Sequence, residues 1–265
     1  MKICICTNTR PHEGGVRAYI NTLYNGLKEM NQDVDIITAF GATNNLETRR
    51  KFVEKIFSLL RKFPTSVVII YKLNEIMLFF NLYRAFIKKK YDIIHVMDFS
   101  AANTVYPLAK LFKKPIILSV HGFVNISEIL NLNKKIKKYF LKEEIKAYQR
   151  ADFITSAAKY IDNYILSKNI SPKKIVRINN FVDLSVFYPD LSLRAKIREK
   201  LSINREDFVV LCVARMVKRK GVIYPLLSLL KILRSHPTLP IKLIYVGEGP
   251  QKKILQKKSQ RKSFK

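Results

Sequence analysis

Eight short apolar runs rich in β-branched residues recur along the chain, at 2–6, 33–38, 92–97, 115–120, 152–156, 174–178, 208–214 and 241–246. Most are continuous rather than alternating, the pattern of strands covered on both faces. Between them lie segments of helical spacing, so a doubly wound α/β fold is expected. The first crossover is the clearest, with Val16, Ile20, Leu23, Leu27 and Met30 on one helical face. Further helices are expected at 47–61, 73–90, 101–112, 134–150, 159–168, 193–201 and 222–234.

At 265 residues the chain exceeds the usual size of one core. The polar and aromatic stretch 179–189, with Asp183 and Pro189, reads as a crossing between two domains, 1–185 and 186–265. Only two strands follow Pro189, and a two-stranded parallel sheet leaves apolar faces and edges uncovered. The second domain is therefore expected to be incomplete and marginally folded. The stretch 251–265 is almost all Lys, Gln, Ser and Arg and is expected to offer no core face.

Lys and Arg number 49 against 20 Asp and Glu, a net charge of +29. Such a field draws anionic lipid, phosphorylated substrates or nucleic acid. The basic clusters do not alternate with aromatics along a groove, and no nucleic-acid reading motif accompanies them, so nucleic acid is not an expected partner. Glu143 and Glu144, on a lysine-rich helix, read as a solvated face. No run reaches the ~18 uncharged apolar residues of a spanning helix, and the N-terminus runs straight into a strand. A cytoplasmic protein is expected, peripheral on the inner membrane face. Cys4, Cys6 and Cys212 are odd in number and fall inside strands, which reads as small buried apolar residues rather than a disulfide frame or a zinc site.

Arg215 follows the strand at 208–214, and a basic turn closes at Lys220-Gly221 before a helix. A planar guanidinium and a mobile ammonium five positions apart, with a helix N-terminus behind them, form a cradle for a diphosphate. Gly14-Gly15 precede the first helix, where small residues let backbone N–H groups approach a ligand. His95 and Asp98 end one strand and His121 another, at the carboxyl ends where open α/β sheets collect ligands. No dinucleotide fingerprint, phosphate loop, nucleophile triad or metal-ligand spacing occurs, so neither cofactor nor metal is expected.

In order along the chain, Gly14-Gly15-Val16, Asp92-Ile93-Ile94-His95 with Asp98, Ser119-Val120-His121-Gly122, Ala151-Asp152-Phe153-Ile154-Thr155-Ser156, Asn180-Phe181-Val182-Asp183, Ala214-Arg215 to Lys220-Gly221, and Val246-Gly247-Glu248-Gly249-Pro250 resemble the retaining GT-B glycosyltransferases of family 4. The resemblance implies transfer of a sugar from a nucleotide-diphosphate donor to a saccharide or lipid-linked acceptor, with retention, in surface polysaccharide or glycolipid synthesis. By the same resemblance Arg215, Lys220, Gly15 and Gly247 would bind the donor, His121 would lie near the transferred sugar as the catalytic residue, and Gly14, His95 and Asp98 would stand on the acceptor side. An anionic membrane surface is the further partner it implies. It also implies a complete N-terminal Rossmann-like domain and a truncated C-terminal one, because the family's paired glutamates belong beyond Pro250 and 251–265 holds no acid. A non-catalytic remnant or nucleotide-diphosphate-binding module is the alternative.

Overall fold

A computed structural model describes residues 1–8, 15–42, 66–123 and 134–260. The helix expected at 47–61 and Gly14 lie outside the described residues. The chain divides into two compact units, Met1–Val186 and Phe187–Lys265.

The first unit is built on a sheet of order β3-β2-β1-β4-β5-β6-β7. Its strands are β1 (Lys2–Thr7), β2 (Asp33–Thr38), β3 (Gly41–Ala42), β4 (Ile93–Val96), β5 (Ile116–Val120), β6 (Phe153–Ser156) and β7 (Ile175–Arg177). All pairings are parallel except β2 with the two-residue β3. Each expected strand forms to within one residue at either end; β3 was not anticipated. Cys4, Cys6, Ile94, Leu118 and Ile154 are buried in the middle of the sheet, as strands covered on both faces require.

Five helices of this unit are described: α1 (Gly15–Glu29), α2 (Ser66–Lys88), α3 (Phe99–Leu111), α4 (Lys134–Arg150) and α5 (Lys159–Leu166). Ile20 of α1 is buried with Ile3, Ile5, Val34 and Met97, and Val16, Leu23 and Leu27 pack around them. Met30 departs from the expected face. Asn31 takes a left-handed conformation with φ 56°, and Gln32 N–H reaches back to the Leu27 carbonyl at 2.9 Å. This closes the helix one residue before Met30, which is left exposed. α2 starts seven residues before its expected first turn, because the β-branched run ahead of Leu73 carries no helix-start signal. α3 is capped by Asp98, whose carboxylate accepts from Ala101 N–H at 2.8 Å.

The solvated reading of Glu144 is corrected by the structure. Glu144 is 1% exposed and accepts a hydrogen bond from the Tyr164 phenol at 2.8 Å. Glu143 is not a solvated charge either: its side chain is 17% exposed and accepts from Asn103 Nδ2 at 3.0 Å.

The second unit contains α6 (Leu191–Lys200), β8 (Phe208–Val213), α7 (Ile223–Ser235), β9 (Ile241–Val246) and α8 (Lys252–Gln260). β8 and β9 pair in parallel over six residues, Phe208 opposite Ile241 and Val213 opposite Val246. Met216, Val222, Leu226, Leu230 and Leu255 form its core. Leu255 overturns the expectation that 251–265 has no core face: it is 6% exposed, and it anchors α8 with a single apolar side chain. Cys212 is half-buried, unlike Cys4 and Cys6. Phe208, Leu211 and Val213 stay exposed on the two-stranded sheet. No helix among the described residues is long and apolar enough to cross a membrane.

Candidate active site

The central strands β1, β4, β5 and β6 exchange apolar for polar side chains toward their carboxyl ends. Asp98, just past β4, accepts from Thr7 Oγ1 and from Asn8 N–H, both at 2.8 Å, as well as capping α3. One carboxylate thereby fixes the end of β1 to the start of α3. Asn8 Nδ2 donates to Ser100 Oγ at 2.8 Å, and Ser100 donates to Glu75 at 2.8 Å.

His95 points along the sheet to Ser119. Its Nε2 lies 2.7 Å from Ser119 Oγ, and Ser119 Oγ lies 2.7 Å from Thr155 Oγ1. Three strands are thus tied by a side-chain relay in which each hydroxyl can donate once and accept once. Burial pushes the His95 imidazole down to about 4, and repulsion from His121 adds to the effect. His95 is therefore neutral at physiological pH.

His121 follows β5 directly. Burial lowers its pKa as well. Its ring meets Tyr19 of α1 edge-on at 4.5 Å, and Tyr19 packs on Phe181 at 4.6 Å. The ring is held by these contacts, yet its Nε2 is buried with no hydrogen-bond partner among the described residues. A buried polar atom so oriented is a group to which a ligand can add a bond. Gly15 opens α1, and a Cβ added there would meet no atom of the described residues within 4 Å; the same holds for Gly122 beside His121.

In the second unit a short 3-10 turn, Lys218–Lys220, ends on Gly221 in the left-handed region at φ 64°. α7 starts two residues later, with no side chain capping its first turn. Its N–H groups and dipole favour an anion there. The side chains of Arg215 and Lys220 are exposed and make no hydrogen bond or ion pair among the described residues. The turn that carries Arg215 is held from the other side: Ala214 N–H donates to Val246 at 3.0 Å, and Met216 N–H donates to Glu248 at 2.7 Å. Gly247 sits there at φ 143°, and a Cβ on it would lie 2.0 Å from the Ala214 carbonyl oxygen.

Of the expected site residues, His95, Asp98, His121 and Gly15 gather at the carboxyl side of the first sheet, and Arg215, Lys220 and Gly247 gather around one turn of the second unit. Sequence reasoning missed Ser119 and Thr155, although hydroxyls at the ends of two apolar strands are the signal that could have found them. It also missed Tyr19, whose role depends on a contact about a hundred positions away.

An open parallel sheet with ligand-facing groups at its carboxyl ends, followed by a second α/β unit with a cationic turn ahead of a helix, is the α/β fold of the GT-B glycosyltransferases. The family model for Glycosyltransferase Family 4 matches residues 13–186, and the chain belongs to that family. It is 24% identical to the alpha-monoglucosyldiacylglycerol synthase of Acholeplasma laidlawii, a match covering 93% of this chain and 63% of that one. It is 28% identical to the UDP-Gal:alpha-D-GlcNAc-diphosphoundecaprenol alpha-1,3-galactosyltransferase of Escherichia coli, over 64% of this chain and 43% of the relative. In fold it is similar to Anabaena HepE in complex with UDP, with a TM-score of 0.60, 14% identity, and coverage of 98% of this chain and 65% of the other. The chain spans between 43% and 63% of the length of the curated relatives it matches.

Proposed function

We propose that this chain moves a sugar from a nucleotide-diphosphate donor to a saccharide or lipid-linked acceptor, with retention at the anomeric carbon, in the synthesis of a surface polysaccharide or glycolipid. The observation that carries the reading is His121 Nε2, buried, neutral and unpartnered at the carboxyl end of a central strand. The named activities of the Acholeplasma and Escherichia coli relatives support a glycolipid or lipid-linked acceptor. The UDP bound by the fold neighbour supports a nucleotide-diphosphate donor.

In this proposal the diphosphate is held by Arg215, Lys220 and the first N–H groups of α7, with Gly247 keeping the turn in place. As the bond from the anomeric carbon to the diphosphate breaks and one to the acceptor oxygen forms, negative charge grows on the leaving group. Fixed cations and amide dipoles stabilise that charge more in the transition state than in the ground state. No metal is part of the proposal, because the guanidinium and the ammonium fill that electrostatic role; chelation with EDTA is expected to leave transfer unchanged. His121 Nε2 bonds the transferred sugar, and Gly15 lies against the donor. His95 and Asp98 engage their own neighbours, so they position the acceptor-side loops rather than touch the reacting atoms. The proposed setting is the cytoplasm, at the inner membrane face.

Transfer from UDP- and GDP-sugars to a lipid-linked acceptor, followed with the anomeric configuration of the product, tests the proposal. A product of inverted configuration contradicts retention. Absence of any binding to UDP and GDP contradicts the donor assignment.

A further inference from the structure

We propose that Glu144 and Tyr164 are positioning residues for His121, acting on it through Phe123. The role given to His121 rests on the transfer reading; the network that holds the ring does not, and it can be tested without turnover.

The parts come from three elements. Glu144 of α4 and Tyr148, one turn further on, are both fully buried. Tyr164 of α5 donates its phenol to the Glu144 carboxylate at 2.8 Å, and Tyr148 turns its phenol to the same group. Burial first, and Glu144 second, push both phenols above their ordinary pKa. They therefore stay protonated and remain donors.

Phe123 lies three residues past the end of β5. Its ring stacks on Tyr164, with centroids 3.9 Å apart and planes 11° from parallel. The Lys168 ammonium stands 4.6 Å from the Tyr164 centroid, and since Phe123 covers one face of that ring, the cation takes the other. Tyr160 meets Phe123 edge-on at 6.1 Å. Tyr164 is thus pinned at its tip by a carboxylate and on both faces by neighbours.

Such an arrangement points to orientation rather than to bulk stability. A carboxylate held out of water is unfavourable unless its oxygens are bonded, and an apolar side chain of similar volume would fill the place without that penalty. What the carboxylate adds is a fixed place for the Tyr164 ring, and so for the ring stacked on it. Between His121 and Phe123 stands Gly122, which has no side chain by which the segment could be held. The main chain leaving β5 is therefore gripped just past His121 by Phe123, while Tyr19 holds the imidazole itself at 4.5 Å. Together the two holds aim Nε2, which bonds no described neighbour. A misplacement of about 1 Å at a group that bonds the reacting sugar can lower the rate roughly a hundredfold.

Nuclear magnetic resonance of the full chain with labelled histidine tests the proposal, the His121 ring signals being identified by their loss in His121→Gln. In Tyr164→Leu and Phe123→Leu, each of which removes the stack, these signals are expected to move or broaden. Glu144→Leu should displace them too, and Glu144→Gln, which keeps an acceptor for a phenol, should bring them back toward the wild type. Phe123→Leu, at a half-buried position, carries the test should Tyr164→Leu not fold. In transfer assays kcat is expected to fall about tenfold in both ring-removing variants, with the donor KM unchanged. His121 signals that overlay the wild type in a folded Phe123→Leu chain would overturn the proposal and leave the network purely structural. A displacement in Glu144→Gln as large as in Glu144→Leu would overturn it as well. Signals that move in a chain without transfer activity would support the network and count against the transfer reading alone.

Discussion

His95 and Ser119 meet at 2.7 Å across β4 and β5, the imidazole against a hydroxyl that also serves Thr155. Burial first, and His121 second, hold the His95 pKa down at about 4 against an ordinary value of 6.5. Between those values the unfolded chain binds a proton that the folded chain refuses. Stability from this group is therefore complete above pH ~6.5 and is lost as pH falls toward ~4, by about 3 kcal/mol at most. Urea midpoints across that window should fall more steeply for the wild type than for His95→Gln. Parallel profiles for the two would contradict the assignment.

Ser119→Ala removes the middle of the relay and strands two buried polar groups. A loss of roughly 1–3 kcal/mol is expected, with nucleotide-diphosphate affinity unchanged because the relay lies in the other unit. Denaturation and calorimetry on the same variant check both halves of the statement.

Glu144 is a buried carboxylate rather than a surface charge, so its replacement should be felt. Glu144→Ala leaves the Tyr164 phenol without its acceptor and is expected to lower stability by roughly 1–3 kcal/mol. Glu144→Gln keeps an acceptor in place and should lose less. Equal stability of Glu144→Ala and the wild type in urea would restore the solvated reading.

Gly247→Ala should unfold the second unit selectively. The added methyl would fall 2.0 Å from the Ala214 carbonyl oxygen, a backbone atom that no side-chain change can move, and φ is positive besides. A destabilisation of at least about 2 kcal/mol is expected. Hydrogen exchange should show β8 and β9 losing protection while β1, β4 and β5 retain theirs. Ala214→Gly is expected not to rescue the variant.

His121→Ala tests a buried nitrogen that no neighbour among the described residues uses. If Nε2 bonds the sugar in the transition state, turnover should fall by roughly 10²–10³ with UDP affinity preserved. A variant that binds less nucleotide but turns over normally would point to a purely structural ring.

How much of this was legible follows from the physics of each element. The strands were readable because burial on both faces demands unbroken apolar runs, and Asp33–Thr38 and Ile241–Val246 match to the residue. α8 was not readable, since Leu255 alone joins it to the core amid lysines and glutamine, too sparse a signal for periodicity to register. The burial of Glu144, and the bond from Asn103 to Glu143, depend on a helix phase and on contacts with other elements that one sequence does not display. In the candidate site His121 was readable from its place at a strand end, whereas the Tyr19 and Phe181 rings that hold it are contacts between distant positions, which one sequence does not display.

The central claim is that the turn from Arg215 to Gly221 grips a diphosphate. Calorimetry of UDP and GDP binding to the wild-type chain and to the Arg215→Ala, Lys220→Ala double variant tests it most directly. At ~1 kcal/mol or more for each charged contact, affinity should fall at least about thirtyfold, with the fold unchanged by circular dichroism. Equal affinity of the two proteins, or no affinity of the wild type for either nucleotide, would contradict the account.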